Sequence, residues 1–76
     1  MNARLHDGWL VVPYGGHDLA RVYICAGQRQ GDWRPAFLDR VDGQRVAKIR
    51  PAGLSGVVWV WLKVGGTVSQ MGKVTV

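Results

Sequence analysis

The dipeptide Asp42-Gly43 restricts the fold of this chain more than any other local feature. It lies between two segments, 35–41 and 44–50, in which apolar and polar residues alternate. Asp-Gly favours the two-residue type I′ turn, because both turn positions require a positive φ. The sequence therefore predicts a β-hairpin with one apolar side and one side that carries Phe37 and Lys48. The pairs predicted on the apolar side are Leu38–Ala47 and Ala36–Ile49.

Other short segments also have the composition of strands, and glycine-rich or polar connections separate them. The piece 9–12 is followed by Pro13, which cannot donate to a ladder on both sides, so we expect an edge strand there. Segment 57–64 is apolar on both faces, and we expect Gly65-Gly66 to open a loop after it. The remaining strand segments are 19–26 and 73–76.

Residue usage indicates an all-β fold, since valine is the commonest residue, glycine occurs 11 times and glutamate is absent. No stretch has the 3.6-residue period of an amphipathic helix. We expect a small antiparallel β-sandwich, Ig-like or related, and a small OB/SH3-like barrel is the alternative. Residues 1–76 form a single domain in this interpretation, with 1–18 as an N-terminal arm or an edge strand.

The chain has 76 residues and one cysteine, Cys25, so neither an internal disulfide nor a zinc ribbon is available. A domain this small is marginally stable without such staples, which suggests that it gains stability from a partner or from copies of itself. No apolar run approaches the length of a membrane span, and the start lacks the pattern of a secretory signal. We expect a soluble chain made in the cytoplasm, without membrane attachment.

Candidate catalytic and metal sites are weak in this sequence. The dipeptides His6-Asp7 and His17-Asp18 have acceptable ligand chemistry, but adjacent side chains on a strand point to opposite faces. We interpret them as turn residues. Gly53-Leu54-Ser55-Gly56 is one residue short of a nucleophile elbow. We therefore expect no enzyme activity, no metal and no cofactor.

The net charge of +5 is concentrated in the predicted hairpin. Between Arg34 and Arg50 there are five basic residues and two aspartates. A basic β-barrel with exposed aromatic residues is typical of single-strand binders, although the hairpin offers only Phe37 for base stacking. A solubilising surface, or one that meets an acidic protein, is the alternative interpretation.

Two of the four tryptophans, Trp59 and Trp61, lie two residues apart and so share one face of a strand. The opposite face of that strand is already assigned to the core. Either a loop or the N-terminal segment around Trp9 covers the indoles, or they form a docking surface, since aromatic residues dominate interface energetics. Trp33, beside Arg34, is placed to rim the same patch.

The C-terminal half resembles small Ig-like β proteins of the structural gene blocks of tailed phages that infect actinobacteria. The segments that carry the resemblance are 31–37, the basic strand up to Arg50, 56–64 and 72–76. The resemblance implies a virion protein made in the host cytoplasm. A capsid decoration or minor capsid protein is the first expectation, and a head–tail or tail accessory protein is the second.

The expected partner is the major capsid protein or another virion protein, which the module would cement without chemistry. Self-association through the 73–76 strand and binding of nucleic acid remain alternatives. The predicted interface has an aromatic part and an electrostatic complement. Its residues are Trp33, Arg34, Trp59 and Trp61, complemented by Arg45, Lys48 and Arg50.

Overall fold

The computed structural model describes residues 2–16 and 21–76. These residues form two four-stranded antiparallel sheets, of order β1-β2-β6-β5 and β4-β3-β7-β8. The strands are β1 (Arg4–His6), β2 (Trp9–Pro13), β3 (Val22–Gly27), β4 (Arg34–Pro35), β5 (Phe37–Val41), β6 (Gln44–Ile49), β7 (Val57–Val64) and β8 (Thr67–Thr75). The described part of the chain contains no helix, and so none that could cross a membrane.

The predicted antiparallel β-sandwich is confirmed. The first sheet has the A-B-E-D strand order of immunoglobulin-type sandwiches, and the second has the C-F-G order with one extra edge strand, β4, beside C. Because the strands form two separate sheets, the alternative of a closed barrel does not apply.

Two-residue turns join three of the strand pairs. Asp42-Gly43 has φ angles of 52° and 79°, as the predicted type I′ turn requires. Asp7-Gly8 joins β1 to β2 with the same geometry, at 50° and 78°. Gly65-Gly66 joins β7 to β8 as a two-residue turn, so the prediction that these glycines open a loop before the strand at 73–76 was wrong. Two glycines adopt positive φ without strain, which lets β8 begin at once at Thr67.

The hairpin register is confirmed at its centre, where Leu38 pairs with Ala47. The predicted Ala36–Ile49 pair is wrong, because the ladder begins at Phe37. Pro35 pairs with Tyr23 in the second sheet, and the Ala36 N–H donates to the Val22 carbonyl at 2.9 Å. The chain therefore crosses from the second sheet to the first at this point. Pro35 has no N–H, and it is tolerated here because β4 is a short edge strand.

The segment around Trp9 is an interior strand, so the prediction of an edge strand was wrong. β2 pairs with both β1 and β6, and Pro13 is its last residue, where a missing N–H costs one bond at the end of the ladder. The edge is β1, which makes residues 4–6 part of the sheet rather than an arm. Residues 17–20, with the His17-Asp18 pair and the predicted start of the 19–26 strand, lie outside the described residues.

The core lies between the inner faces of the two sheets. Alternate residues of β7 supply Val58, Val60 and Leu62, and β3 supplies Val22 and Ile24, as the alternation predicts. The first sheet contributes a matching set, Leu10, Val12, Ala47 and Ile49. Among the described residues no polar or charged side chain is buried. This layer between the sheets is the main core, and a smaller buried cluster of Val11, Val41 and Val46, with Trp9 packed against it, lies on the outer face of the first sheet.

Strand β8 contains a β-bulge. Trp59 pairs with Lys73 and Trp61 pairs with Gln70, so two residue steps on β7 are matched by three on β8. Gly72 in the bulge has a φ of 85°, which favours glycine. A Cβ there would lie about 3.0 Å from the Asn2 side chain. The bulge bends β8 beside the N-terminal residues.

The Asp42-Gly43 turn gives a direct test of the hairpin. Gly43→Ala is expected to lower the free energy of unfolding by about 1–2 kcal/mol, because alanine must adopt a left-handed conformation. Gly31→Ala is the matched control, since the φ of Gly31 lies outside the left-handed region and a Cβ at this position would have no other atom within 4 Å. Urea denaturation of both variants measures the difference, and equal stability of the two would contradict the turn assignment.

Candidate functional site

The outer face of the second sheet presents aromatic side chains. On β7 the core takes Val58, Val60 and Leu62, so Trp59, Trp61 and Lys63 point outward. In the register, Tyr23 is opposite Lys63 and Lys73 is opposite Trp59. The three aromatic side chains are half-buried and Lys73 is exposed. We call the set Tyr23, Trp33, Trp59, Trp61, Lys63 and Lys73 the indole face.

Lysines are packed against the rings of this face. The Lys63 ammonium lies 4.5 Å from the centroid of the Trp33 ring and 5.5 Å from that of Tyr23. The Lys73 ammonium lies 5.4 Å from the centroid of Trp59. Such cation–π contacts contribute about 0.5–1 kcal/mol each at exposed sites. They hold the aromatic rings in fixed positions, which lowers the conformational entropy that is lost when a partner binds.

Trp33 reaches this face because the preceding loop is anchored to β3 and β7. The Gly31 N–H donates to the Cys25 sulfur at 3.2 Å, and the Gln28 side-chain amide donates to the Val57 carbonyl at 2.6 Å. Cys25 is 1% exposed, as expected for a structural thiol. The loop therefore brings Trp33 beside Lys63, which points to the same outer face as Trp59 and Trp61.

The indole face is cationic without an acidic counterpart in its own strands. Strands β3, β4, β7 and β8 contain neither Asp nor Glu, and their charged residues are Arg34, Lys63 and Lys73. The exposed Asp32 precedes Trp33 in the adjoining loop. The two charged side chains that point outward from the strands of this face, Lys63 and Lys73, are both cationic, which favours a partner that carries carboxylates or phosphates.

Arg34 does not point onto the indole face. Its pair in β3 is Ile24, a core residue, so the Arg34 side chain extends toward the other sheet. There its guanidinium donates to the Arg50 carbonyl at 3.1 Å. Arg34 thus connects the two sheets at their edge, beside Trp33.

Lys48 and Arg50 lie on the other side of the molecule, in or next to β6 of the first sheet. The Arg50 guanidinium lies 3.8 Å and the Lys48 ammonium 4.2 Å from the centroid of the Trp9 ring. Phe37 meets Trp9 edge-on at 5.9 Å between centroids and is 61% exposed. The predicted electrostatic complement Lys48 and Arg50 thus lies beside Trp9 and Phe37 on the first sheet, and not beside Trp59 and Trp61 on the second. Trp9, for the same reason, does not cover those indoles.

We call Trp9, Phe37, Lys48 and Arg50 the Trp9–Phe37 cluster, and the carboxylate of Asp39 lies beside it. The Lys48 ammonium donates to an Asp39 carboxylate oxygen at 2.7 Å, and this hydrogen bond holds the pKa of Asp39 below its ordinary value of 3.8. The Arg40 backbone N–H also donates to Asp39, at 2.7 Å, and acts in the same direction. Because folding lowers the pKa of Asp39, the ionised Asp39–Lys48 pair stabilises the fold at any pH above the unfolded-state pKa of this carboxyl group. This stabilisation is lost as the pH falls through the folded-state pKa. The cationic charge of Lys48 is therefore partly compensated within the chain.

Arg45 has a third location, at the end of the sandwich. Its guanidinium lies 5.3 Å from the centroid of the buried Tyr14 ring and donates to the Gly16 carbonyl at 2.7 Å. It stabilises the segment that follows β2 and does not reach the indole face. The alternating pattern shows only that Arg45 and Lys48 lie on opposite faces of β6, and cannot show which loop covers each of them.

Metal-ligating side chains do not form a cluster in the part of the chain that the structure describes. No three His, Cys, Asp or Glu side chains among residues 2–16 and 21–76 come close enough to hold a metal ion. His6 and Asp7 contact each other at 3.4 Å between Nε2 and Oδ2, beside the Asp7-Gly8 turn. Asp7 is therefore a turn residue, as expected.

Comparison with protein-family models, with curated proteins and with solved structures finds no match to this chain.

Sequence reasoning missed four residues of these two surfaces: Tyr23, Lys63 and Lys73 on the indole face, and Trp9 beside Phe37. The signal for the first three was present, because Tyr23 and Lys63 have the outward parity of their strands and Lys73 follows a glycine in an alternating segment. The Trp9–Phe37 contact joins strands that are not neighbours in the sheet, and periodicity carries no information about it.

Proposed function

We propose that this protein is a structural interaction module that docks on a larger assembly through its indole face. The observation that carries the proposal is the combination of four aromatic side chains with two lysines on one outer sheet face, in strands without acidic residues. Aromatic residues held rigidly at an exposed surface are typical of interface hot spots. The described residues also offer no metal-binding cluster that would direct the proposal toward a metalloenzyme.

The assembly that we propose is a phage particle, on which the module serves as a capsid decoration or minor capsid protein. The sequence resemblance of residues 31–76 supports this choice, and a head–tail or tail accessory role is the alternative. The partner is then the major capsid protein or another virion protein with an acidic, partly apolar surface. Binding to a repeating lattice would stabilise the folded module by mass action.

The proposed mechanism is cementing. A module that bridges two adjacent shell subunits opposes their separation by the free energy of its own contacts, without a chemical step. The indole face would supply the contact to one subunit. The Trp9–Phe37 cluster lies on the opposite sheet, so it is available for the second contact. A small rigid sandwich suits this role because its two outer faces are held at a fixed distance.

Docking through the indole face predicts a specific loss of particle binding. A variant with both Trp59→Ser and Trp61→Ser should bind particles more than about 100-fold more weakly, since each hot-spot aromatic contributes about 2 kcal/mol or more. Leu5→Ser is the control, because Leu5 is exposed on the edge strand β1 and belongs to neither of the two proposed contact surfaces. The measurement is co-sedimentation with purified particles, with circular dichroism to verify that each variant is folded. A folded double variant that binds as the unmodified chain does would contradict the docking assignment.

Binding to single-stranded nucleic acid is the second candidate function, and one observation favours it. The indole face places several aromatic rings and two lysines on one sheet, which is the arrangement that stacks bases and contacts phosphates. The predicted hairpin offers only one aromatic residue, Phe37, for base stacking, whereas the indole face offers four.

A salt titration separates the two candidates. If Lys63 and Lys73 each neutralise one phosphate, the logarithm of the affinity for a single-stranded oligonucleotide should fall with the logarithm of salt with a slope of about −1.4. Fluorescence anisotropy with a labelled oligonucleotide measures this slope. The docking proposal expects no binding in that assay, and binding with this slope whose affinity Trp61→Ser lowers would establish the nucleic-acid function instead.

A further inference from the structure

The four sheet edges of this sandwich differ in how well they are protected against pairing with another strand. The edge β1 has three residues, and the edge β4 has two, one of which is Pro35. The edge β5 carries the charged residues Asp39 and Arg40. Short length, proline and charge are the usual protections of an edge strand. The fourth edge, β8, spans nine residues and carries a single charged residue, Lys73.

The second half of β8 is partly covered by the N-terminal residues. The Ala3 N–H donates to the Met71 carbonyl at 2.8 Å, and the Asn2 side chain lies against Gly72. The first half, residues 67–70, is exposed and uncharged and contains no proline. The free part of the edge is therefore this stretch, and not the 73–76 strand that the sequence suggested for self-association.

The turn geometry determines which backbone groups of this stretch face outward. The two-residue Gly65-Gly66 turn is closed by the pair Val64–Thr67, whose N–H and C=O groups bond to each other. Hydrogen-bonded and non-bonded pairs alternate along an antiparallel ladder. Val68 and Gln70 therefore direct their N–H and C=O groups away from β7, toward the open edge.

We infer that a second copy of this chain pairs with this edge, antiparallel and two-fold symmetric about Ser69. That register sets Val68 of each copy opposite Gln70 of the other, which joins the outward-facing backbone groups of both. It sets Lys73 opposite Gly65, so no like charges face each other. The same neutral segment can thus meet itself without repulsion, as a symmetric interface requires.

The paired copies form one continuous eight-stranded sheet. Their indole faces then lie side by side on the same surface of that sheet, since the pleat continues across the new ladder. Two adjacent indole faces bind a repeating partner with avidity, because the second contact becomes intramolecular. The inference itself rests on β8 alone and is tested without any partner.

Sedimentation equilibrium of the purified chain over a wide concentration series tests the pairing. The 8.4 kDa chain should approach twice that mass as the concentration rises, and the Val68→Lys variant should remain a monomer. Val57→Lys is the matched control, since Val57 is 51% exposed on the interior strand β7 and Val68 is 41% exposed on the edge. Hydrogen exchange should show concentration-dependent protection of the Val68 and Gln70 amides.

Three results would overturn the inference. The first is a chain that stays monomeric at every concentration, which would leave the edge to a strand of another protein or to solvent. The second is self-association that both lysine variants weaken equally. The third is a dimer in which the Val68 and Gln70 amides exchange as fast as they do in dilute solution.

Discussion

The rest of the structure depends on the alternation of side chains along β7. The main core of this sandwich lies between its two sheets, and each strand can give only every second residue to it. Val58, Val60 and Leu62 fill that core, so Trp59 and Trp61 must lie on the outside. Strand β7 thus places its two tryptophans outside the main core. This arrangement connects the fold to the proposed docking function.

Cations accompany the exposed aromatic rings on both sheets, but with a different charge balance. Around Trp9, Lys48 is bonded to Asp39, and the cluster is partly neutral within itself. On the indole face, Lys63 and Lys73 lie over rings and their strands contain no carboxylate. A partner with negative charge can therefore gain more at the second sheet than at the first. The two faces are therefore suited to two different partners, or to two different parts of one assembly.

Much of the fold could be predicted from the sequence because its signals are local. Asp42-Gly43 determines a turn with two residues, and the parity of 57–64 separates core from surface. The errors have a common origin in non-local pairing. Pro13 was assigned to an edge because periodicity cannot show that β1 pairs with β2. Pro35 was assigned to the hairpin because no local pattern marks where a chain crosses between sheets.

The candidate site was predicted less completely, for a related reason. Trp59 and Trp61 share the outer face of β7, as their parity predicts, and Trp33 joins this face through its contact with Lys63. The structure places Arg45, Lys48 and Arg50 away from these tryptophans, because the net charge of a segment does not show on which sheet each charged side chain lies. Contacts such as that of Arg50 with Trp9 join separate strands and depend on the folded packing.

The stability of a Trp61→Thr variant tests the central claim most directly. If the indoles cover the outside of a complete core, urea denaturation of the purified variant should show a loss of less than about 1.5 kcal/mol in the free energy of unfolding. A loss of about 3–5 kcal/mol, the range for removal of a core aromatic side chain, would mean that Trp61 belongs to the core and would contradict the account.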